Sequence, residues 1–316
     1  MASFYSTERI MILSLLKLIR FSNLCIIALT QVLIRYCIIL PAFETESIIT
    51  GEYPVHLSNL NFALLVFSTL LLAAGGYIIN DLFDLETDAI NKPNKNIIGK
   101  IISVNTARTL FYTLSISGIL IGFYLAWKID TLIMGSIHVF SMASLWMYSS
   151  YYKRRFLSGN ILIAFLSALS LLIVGLFEPE FYRNFIYLLF YAGFAFMISL
   201  IREIIKDMED LEGDMKTDCK TIPVRLGLSN TKKVVYVLIL VTVVLLVAVI
   251  YNFFFENKVF NFWMMITMFI IPFVALVSLI RSAEQKKDYY YAGVFTKVIM
   301  VGGVLSMLPF YYYFLR

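Results

Sequence analysis

Long apolar segments alternate with short polar connections along the whole chain. Nine of them reach the length of about 20 residues that an α-helix needs to cross a bilayer. Their residues are continuously apolar, as in VVYVLILVTVVLLVAVIYNFFF, so they predict helices rather than the alternating strands of a membrane barrel. The predicted spans are residues 18–40, 57–80, 107–127, 130–150, 159–178, 182–206, 233–253, 260–281 and 294–314.

This pattern predicts the all-α class, with the chain as a polytopic membrane protein of nine transmembrane helices. The composition agrees, because 60% of the 316 residues are hydrophobic and the mean hydropathy is +0.82. The first twenty residues show no small-residue cleavage site after a central apolar core, so we expect no cleaved signal peptide. We expect residues 1–316 to form a single integral-membrane domain.

Lysine and arginine collect in every second connection, which predicts the orientation by the positive-inside rule. The opposite connections carry only isolated cations, and FETESIITGEYPVH carries none. The N-terminus is therefore expected in the cytoplasm and the C-terminus outside, in the inner or plasma membrane of the cell. The net charge of +5 is then a topology signal and an attraction to anionic membrane lipid, not evidence for nucleic acid. The cation-rich connections hold Lys17 and Arg20; Lys92, Lys95 and Lys100; Lys153, Arg154 and Arg155; Arg202 to Lys233; and Arg281, Lys286 and Lys287.

Cysteine and histidine are too few for most metal or redox sites. Cys25 and Cys37 lie about 18 Å apart along one predicted helix, too far for a disulfide. The two histidines, His56 and His138, argue against zinc catalysis and are interpreted as polar residues near helix ends.

Carboxylates cluster where the second predicted helix ends. In NDLFDLETD, Asp81, Asp84 and Asp88 stand at positions i, i+3 and i+7, which places them on one face of a helix beside Asn80. Two such charges about 4 Å apart repel by about 4 kcal/mol at an effective dielectric constant near 20, so a cation is expected among them. A solvated helix end is the alternative interpretation.

A second acidic row repeats this spacing at the end of the sixth predicted helix. Asp207, Asp210 and Asp214 in KDMEDLEGD again stand at i, i+3 and i+7, and the predicted topology puts both rows on the cytoplasmic side. Hard oxygen ligands without histidine or thiolate suit Mg²⁺ that is held through a substrate phosphate. The two rows therefore predict a magnesium-dependent site for a polyphosphate.

Basic residues flank both rows and are candidates to bind phosphate oxygens directly. The alternative is that they only satisfy the positive-inside rule. The candidates are Lys92, Lys95, Lys153, Arg154, Arg202 and Lys206.

At these residues the sequence resembles the UbiA superfamily of intramembrane prenyltransferases. The family motif NDxxDxxxD appears as NDLFDLETD and its second aspartate motif as DMEDLEGD. Asn23 in LIRFSN is similar to an element of the family's first helix, with Phe21 in place of a proline. The stretches MYSSYYKRRFLSGN and REIIKDMEDLEGDMKTDCKTIPVRLG most resemble the branch of the digeranylgeranylglyceryl phosphate synthases.

The resemblance implies a nine-helix fold and a specific reaction. Magnesium bridges the aspartates and an allylic prenyl diphosphate, the carbon–oxygen bond ionises, and a lipophilic acceptor captures the allyl cation. It implies catalytic roles for Asp81, Asp84, Asp207 and Asp210, with Asp88 and Asp214 as further metal ligands. Asn23 and Asn80 are then substrate-binding, and aromatic faces are candidates to stabilise the cation. These aromatic candidates are Tyr77, Tyr148, Tyr152 and Phe194.

Two questions of function stay open at this level. The acceptor is expected to be geranylgeranylglyceryl phosphate or a related ether lipid, but an aromatic acid of the 4-hydroxybenzoate or dihydroxynaphthoate type equally suits an arginine. An ion-coupled transporter is the alternative from another class. It is disfavoured because transporters place ionisable residues near the bilayer midplane, whereas these acids cluster at one side.

Overall fold

The structure, a computed structural model, describes residues 2–44, 55, 57–91, 97–178, 180–181, 185–253, 263 and 266–312. Of residues 2–8, 91, 252 and 253 it describes the backbone alone. All regular elements within these ranges are helices, which confirms the all-α class. The α-helices are α1 Ala2–Leu18, α2 Phe21–Ile34, α3 Asn59–Phe83, α4 Leu85–Asn91, α5 Val104–Lys128, α6 Ser136–Ser150, α7 Ser158–Leu176, α8 Phe185–Glu209, α9 Leu211–Lys216, α10 Ile222–Phe253, α11 Ile271–Ser282, α12 Lys286–Leu305 and α13 Met307–Phe310. Short 3-10 or π-helical segments lie at Arg35–Ile39, Leu132–Gly135, Tyr152–Arg154 and Ile266–Ile270.

Eight helical stretches are long and apolar enough to cross a membrane, and each matches one predicted span. The ninth predicted span, 260–281, meets a shorter apolar helix, Ile266–Ser282, and most residues before it lie outside the described ranges. The chain is an integral multi-pass membrane protein, and nine crossings stay a prediction. The eight stretches are Phe21–Glu44, Asn59–Phe83, Val104–Lys128, Leu132–Ser150, Ser158–Leu176, Phe185–Glu209, Ile222–Tyr251 and Lys286–Phe310.

The chain divides into two compact units. Unit 1 comprises Met1–Leu29 and His56–Lys153, and unit 2 comprises Thr30–Val55 and Arg154–Arg316. In unit 1, α3 packs against α5 and α6. In unit 2, α8 packs against α7, α10 and α12.

Local signals position the helices of unit 1. Ser58 caps α3 by accepting the N–H of Asn61 at 3.2 Å, and Ser103 caps α5 by accepting the N–H of Thr106 at 3.0 Å. His138 on α6 is 1% exposed and shares a 3.0 Å hydrogen bond with the Ser68 hydroxyl of α3. This histidine therefore helps to hold α3, the helix that leads into the first acidic row.

Unit 2 buries an ion pair among its membrane-spanning helices. Arg35 Nη1 donates to Glu178 Oε1 at 3.0 Å, and both side chains are at most 2% exposed. Nearby in the chain, Gln31 Nε2 donates to the Ser170 carbonyl at 2.8 Å. Charged side chains that are this buried in the protein are stable only when they are paired. These contacts therefore fix how residues 31–35 pack in unit 2.

Two segments differ from the predicted pattern. Residues 222–232, predicted as a connection, are helical from Ile222, and the helix is interrupted at Gly227 with φ of 75°. The left-handed backbone there explains the glycine, which lacks the Cβ that makes this region costly. Residues 2–18, which precede the first predicted span, also form a helix.

Candidate active site

The first acidic row lies at a break between two helices of unit 1. Helix α3 ends at Phe83, and α4 begins at Leu85. Asp84 occupies the junction with φ of −91° and ψ of 3°, and its N–H donates to the Asn80 carbonyl. This bridge conformation is sparsely populated and is common among active-site residues.

The second acidic row lies at the same kind of break in unit 2. Helix α8 ends at Glu209, and α9 begins at Leu211. Asp210 occupies the junction with φ of −92° and ψ of 7°, and its N–H donates to the Lys206 carbonyl at 2.9 Å. Both rows thus place the first aspartate in the last turn of a 25-residue helix and the third in the first turn of a short one.

The breaks correct the prediction of one continuous helical face. Asp88 and Asp214 still donate their N–H groups to the carbonyls of Asp84 and Asp210, so the helical hydrogen bonding resumes at once. The middle aspartate of each row, however, lies at the junction outside helical geometry, with φ of −91° at Asp84 and −92° at Asp210.

Asp84 is the most buried acid of the first row. Its Oδ2 accepts Asn80 Nδ2 at 2.7 Å and also forms an ion pair with Lys153 Nζ. Lys153 in turn lies 3.5 Å from Asn80 Oδ1. The structure therefore brings together Asn80, Asp84 and Lys153, each of which the sequence predicts as a site residue.

Asp81 pairs with an arginine whose site role the sequence did not predict. Arg20 Nη2 donates to Asp81 Oδ1 at 2.9 Å. The same guanidinium lies 4.7 Å from the ring centroid of Tyr77, whose hydroxyl accepts Asn23 Nδ2 at 3.3 Å. Arg20 occupies the junction between α1 and α2 with φ of 51°. Asn23 thus holds Tyr77, and Arg20 covers one face of that ring.

The second row is held by neutral donors. Asp207 Oδ2 accepts Asn160 Nδ2 of α7 at 2.8 Å, and Asp214 Oδ2 accepts the Thr221 hydroxyl at 3.1 Å. Asp214 is 6% exposed, whereas Asp207 and Asp210 are half-buried. These bonds tie the row to the start of α7 and to the connection before α10.

Arg202 and Lys206 both lie on α8 and are half-buried. Arg202 Nη1 donates to Glu203 Oε1 at 2.7 Å, and Lys206 lies within electrostatic range of Asp207. Glu203 is 6% exposed and stands one turn before Asp207. Glu203, Asp207, Asp210 and Asp214 therefore extend the acidic row by one turn into the membrane-spanning part of α8.

The basic connection before α7 is anchored through its backbone. Arg154 is exposed, and its carbonyl accepts the Lys220 N–H at 2.9 Å. On α9, by contrast, Glu212 is solvent-exposed, and its hydrogen bond with Lys216 at 2.7 Å holds the pKa of this carboxyl below its usual range. Within the described part of the chain, no hydrogen bond or ion pair joins Glu212 to the acidic row, which makes this residue a suitable control.

The remaining predicted site residues have diverse settings. Lys92 and Lys95 lie outside the described residues. Asp88 is half-buried, and Tyr148 is 8% exposed on α6. Tyr152 packs edge-on against Tyr151, and Phe194 packs edge-on against Phe269.

Sequence reasoning missed Arg20, Asn160 and Glu203 as site residues. In the sequence, Arg20 is one of the cations that indicate topology, and Asn160 carries no charge. Glu203 had a usable signal, because positions 203, 207, 210 and 214 follow the i, i+4, i+7, i+11 spacing of one helix face.

The donor chemistry of both rows fits magnesium. All the side-chain acceptors are carboxylate or amide oxygens, which Mg²⁺ prefers. Among the described residues, no group of three or more His, Cys, Asp or Glu side chains converges into a ready-made metal cage. Such an arrangement suits an ion that is held by one or two carboxylates together with substrate phosphates.

Comparisons with known proteins agree with this chemistry. The sequence profile of the UbiA prenyltransferase family matches residues 48–301. The digeranylgeranylglyceryl phosphate synthase of Saccharolobus solfataricus is 31% identical over 83% of this chain and 88% of its own length. That of Sulfurisphaera tokodaii is 35% identical over 62% of this chain and 68% of its own length.

Solved structures share the fold. A digeranylgeranylglyceryl phosphate synthase aligns with a TM-score of 0.66 and 24% identity, covering 95% of this chain and 98% of that one. A UbiA homologue from Archaeoglobus fulgidus, bound to DMAPP and Mg²⁺, aligns with a TM-score of 0.60 and 18% identity, covering 93% and 99%.

Proposed function

The chain belongs to the UbiA prenyltransferase family, and from that premise we propose that it transfers a prenyl group from an allylic prenyl diphosphate to the hydroxyl of geranylgeranylglyceryl phosphate or a related ether lipid. The observation that carries the proposal is the repeated helix break, which sets Asp84 and Asp210 in the same backbone conformation. The similarity to two digeranylgeranylglyceryl phosphate synthases supports this acceptor. Since the chain belongs to an enzyme family, an ion-coupled transporter is no longer needed as an alternative interpretation of its function.

We further propose that the enzyme uses Mg²⁺, held by Asp81, Asp84, Asp207 and Asp210, with Asp88 and Asp214 either ligating or ordering the breaks. The bound ion would neutralise charge that develops on the diphosphate oxygens. The metal and the prenyl diphosphate in the Archaeoglobus fulgidus homologue support this assignment.

The chain's own cations complete the proposed diphosphate site. Lys153 already pairs with Asp84, so it lies where a phosphate oxygen could replace that carboxylate as its partner. Lys92, Lys95 and Lys206 have the same proposed role, and Asn23 and Asn80 are also proposed to bind the substrate. The apolar helices exclude water that would otherwise quench the allyl cation, and Tyr148 is proposed to stabilise that cation.

Arg202 and Arg154 are proposed to bind the anionic head of the acceptor. Arg202 is half-buried beside the second row, and Arg154 is exposed in the connection bonded to Lys220. A guanidinium offers two parallel donors, which match the oxygens of a phosphate.

The proposed membrane arrangement follows the cation distribution. Residues 1–316 act as one domain that crosses the membrane nine times, with the N-terminus and the acidic rows facing the cytoplasm and the C-terminus outside. The membrane is the inner or plasma membrane of the cell.

Product identification tests the reaction. The purified protein is incubated with Mg²⁺ and geranylgeranyl diphosphate against geranylgeranylglyceryl phosphate, 4-hydroxybenzoate or dihydroxynaphthoate, and the products are identified by mass. The ether product is expected from the first acceptor and should disappear in excess EDTA. Formation of a prenylated aromatic acid alone would assign the enzyme to the aromatic branch. Full activity in excess EDTA would show that the reaction does not need Mg²⁺.

A further inference from the structure

Ser199 is an unusual serine on the buried part of α8. It is 4% exposed, and its hydroxyl finds no hydrogen-bond partner among the described residues. Two other buried helical serines, Ser115 and Ser149, each donate a hydrogen bond to the carbonyl four residues back, of Phe111 and Leu145 respectively. A buried hydroxyl without a partner costs about 1–3 kcal/mol, a cost that a polar group of a bound ligand would offset.

Glu203 follows Ser199 by four residues and Asp207 by another four. The three side chains therefore form a polar stripe on one face of α8, in a segment whose neighbours Ile198, Ile201 and Ile204 are at most 1% exposed. Arg202 Nη1 donates to Glu203 Oε1 at 2.7 Å, so this buried carboxylate has a cationic partner. The stripe leads from the acidic row into the apolar interior of unit 2.

The proposed reaction needs a proton acceptor in such a place. The allylic carbon–oxygen bond breaks with its electron pair going to the diphosphate, and the acceptor's hydroxyl oxygen forms the new ether bond to that carbon. The hydroxyl proton must then be taken up in a site from which water is excluded. A buried carboxylate beside a hydroxyl donor is suited to bind an alcohol and receive its proton.

We propose that Ser199 and Glu203 form the subsite for the acceptor's attacking hydroxyl, and that Glu203 receives its proton, which passes to water after the product leaves. This inference rests on the proposed function and specifies its acceptor as an alcohol. It also gives Arg202 two tasks, since this residue would bind the anionic head while it holds Glu203. The hydroxyl and the anionic head would lie beside adjacent residues of one helix.

The test uses full-length protein in lipid nanodiscs with Mg²⁺, geranylgeranyl diphosphate and geranylgeranylglyceryl phosphate. Glu203→Gln is expected to lower kcat for ether formation by at least about 100-fold, the usual contribution of a general base, and to leave geranylgeranyl diphosphate binding unchanged. Glu212→Gln, which neutralises an exposed acid of α9, is the matched control and should retain wild-type kcat.

Ser199→Ala provides a second measurement that does not depend on Glu203. It is expected to weaken binding of geranylgeranylglyceryl phosphate about 5-fold, the loss of one neutral hydrogen bond. Binding of an analogue whose hydroxyl is replaced by hydrogen should not change, because that analogue offers the serine no partner. A merely structural role would weaken both ligands alike.

The outcomes separate the inference from the function it rests on. If the wild-type protein makes no ether from this acceptor, the proposed function fails. If the wild type makes the ether and Glu203→Gln keeps its kcat, the diphosphate is the proton acceptor and the inference is overturned. Loss of geranylgeranyl diphosphate binding in Glu203→Gln also overturns it, and if that variant does not fold, the Ser199→Ala comparison decides.

Discussion

Replacing the aspartates at the two helix breaks is expected to cause large losses of activity. Asp84→Ala and Asp210→Ala are each expected to lower turnover by at least about 100-fold, because each removes a carboxylate proposed to stabilise charge on the leaving diphosphate. Asp81→Ala and Asp207→Ala should do the same. Steady-state product formation measures the effect.

Each break contains its own control. Glu86 on α4 and Glu212 on α9 are exposed acids two residues after Asp84 and Asp210. Glu86→Ala and Glu212→Ala should therefore retain activity. Equal losses in the exposed and junction variants would mean that net charge, rather than a metal site, explains the acidic rows.

The proposed acceptor-head residues give a prediction that distinguishes the two substrates. Arg202→Ala and Arg154→Ala should raise the acceptor's apparent KM by roughly 10- to 150-fold, for about 1.5–3 kcal/mol per charged hydrogen bond lost. Prenyl diphosphate binding should change little, and lysine should recover only part of the loss.

The control for this pair is Arg108→Ala, which removes an exposed arginine of α5. It should leave both KM values unchanged. Weaker prenyl diphosphate binding with an unchanged acceptor KM would reassign Arg202 and Arg154 to the diphosphate site.

Two adjacent glycines of α12 differ in how closely they pack within unit 2. A Cβ at Gly303 would lie 2.1 Å from Cε1 of Phe194 on α8, whereas a Cβ at the adjacent Gly302 would meet nothing within 4 Å. Gly303→Ala is expected to destabilise the protein by about 1–3 kcal/mol, since α12 or the Phe194 ring must move. Thermal unfolding in detergent measures this change.

Gly302→Ala tests whether the cause is contact rather than loss of backbone flexibility. At an open helical position, alanine should be neutral or stabilising by up to about 1 kcal/mol. If both substitutions lower the melting temperature equally, close packing of α12 on α8 is not the reason for the glycine.

The orientation of the whole molecule is a prediction from its charges. In a variant with Cys25, Cys37 and Cys219 replaced by serine, single cysteines at Lys216 and Lys286 should react with a membrane-impermeant reagent from the cytoplasmic side. Cysteines at Thr45 and Lys128 should react from the opposite side. Labelling of Lys216 and Lys128 from the same side would refute the predicted topology.

Much of the architecture was predictable because hydropathy is a local property. Eight predicted spans coincide with long helices, since about 20 consecutive apolar residues leave a backbone in lipid no alternative to helical hydrogen bonds. The ends of helices were less predictable. At Ile222, for example, a helix begins eleven residues before the predicted span. Polar residues are compatible with helices outside the bilayer, so hydropathy does not mark such ends.

The sequence by itself determined the membrane class, the approximate spans and the two acidic rows with their shared spacing, because each is encoded in consecutive residues. Only the tertiary structure decided how those acids are held. Asp81, Asp84 and Asp207 meet Arg20, Lys153 and Asn160, which are 61, 69 and 47 residues away in the chain. Such pairings depend on how helices pack, and spacing along one helix carries no information about them. The helix breaks at Asp84 and Asp210 are likewise visible only in the structure, since the spacing of the acids also suits one unbroken helix.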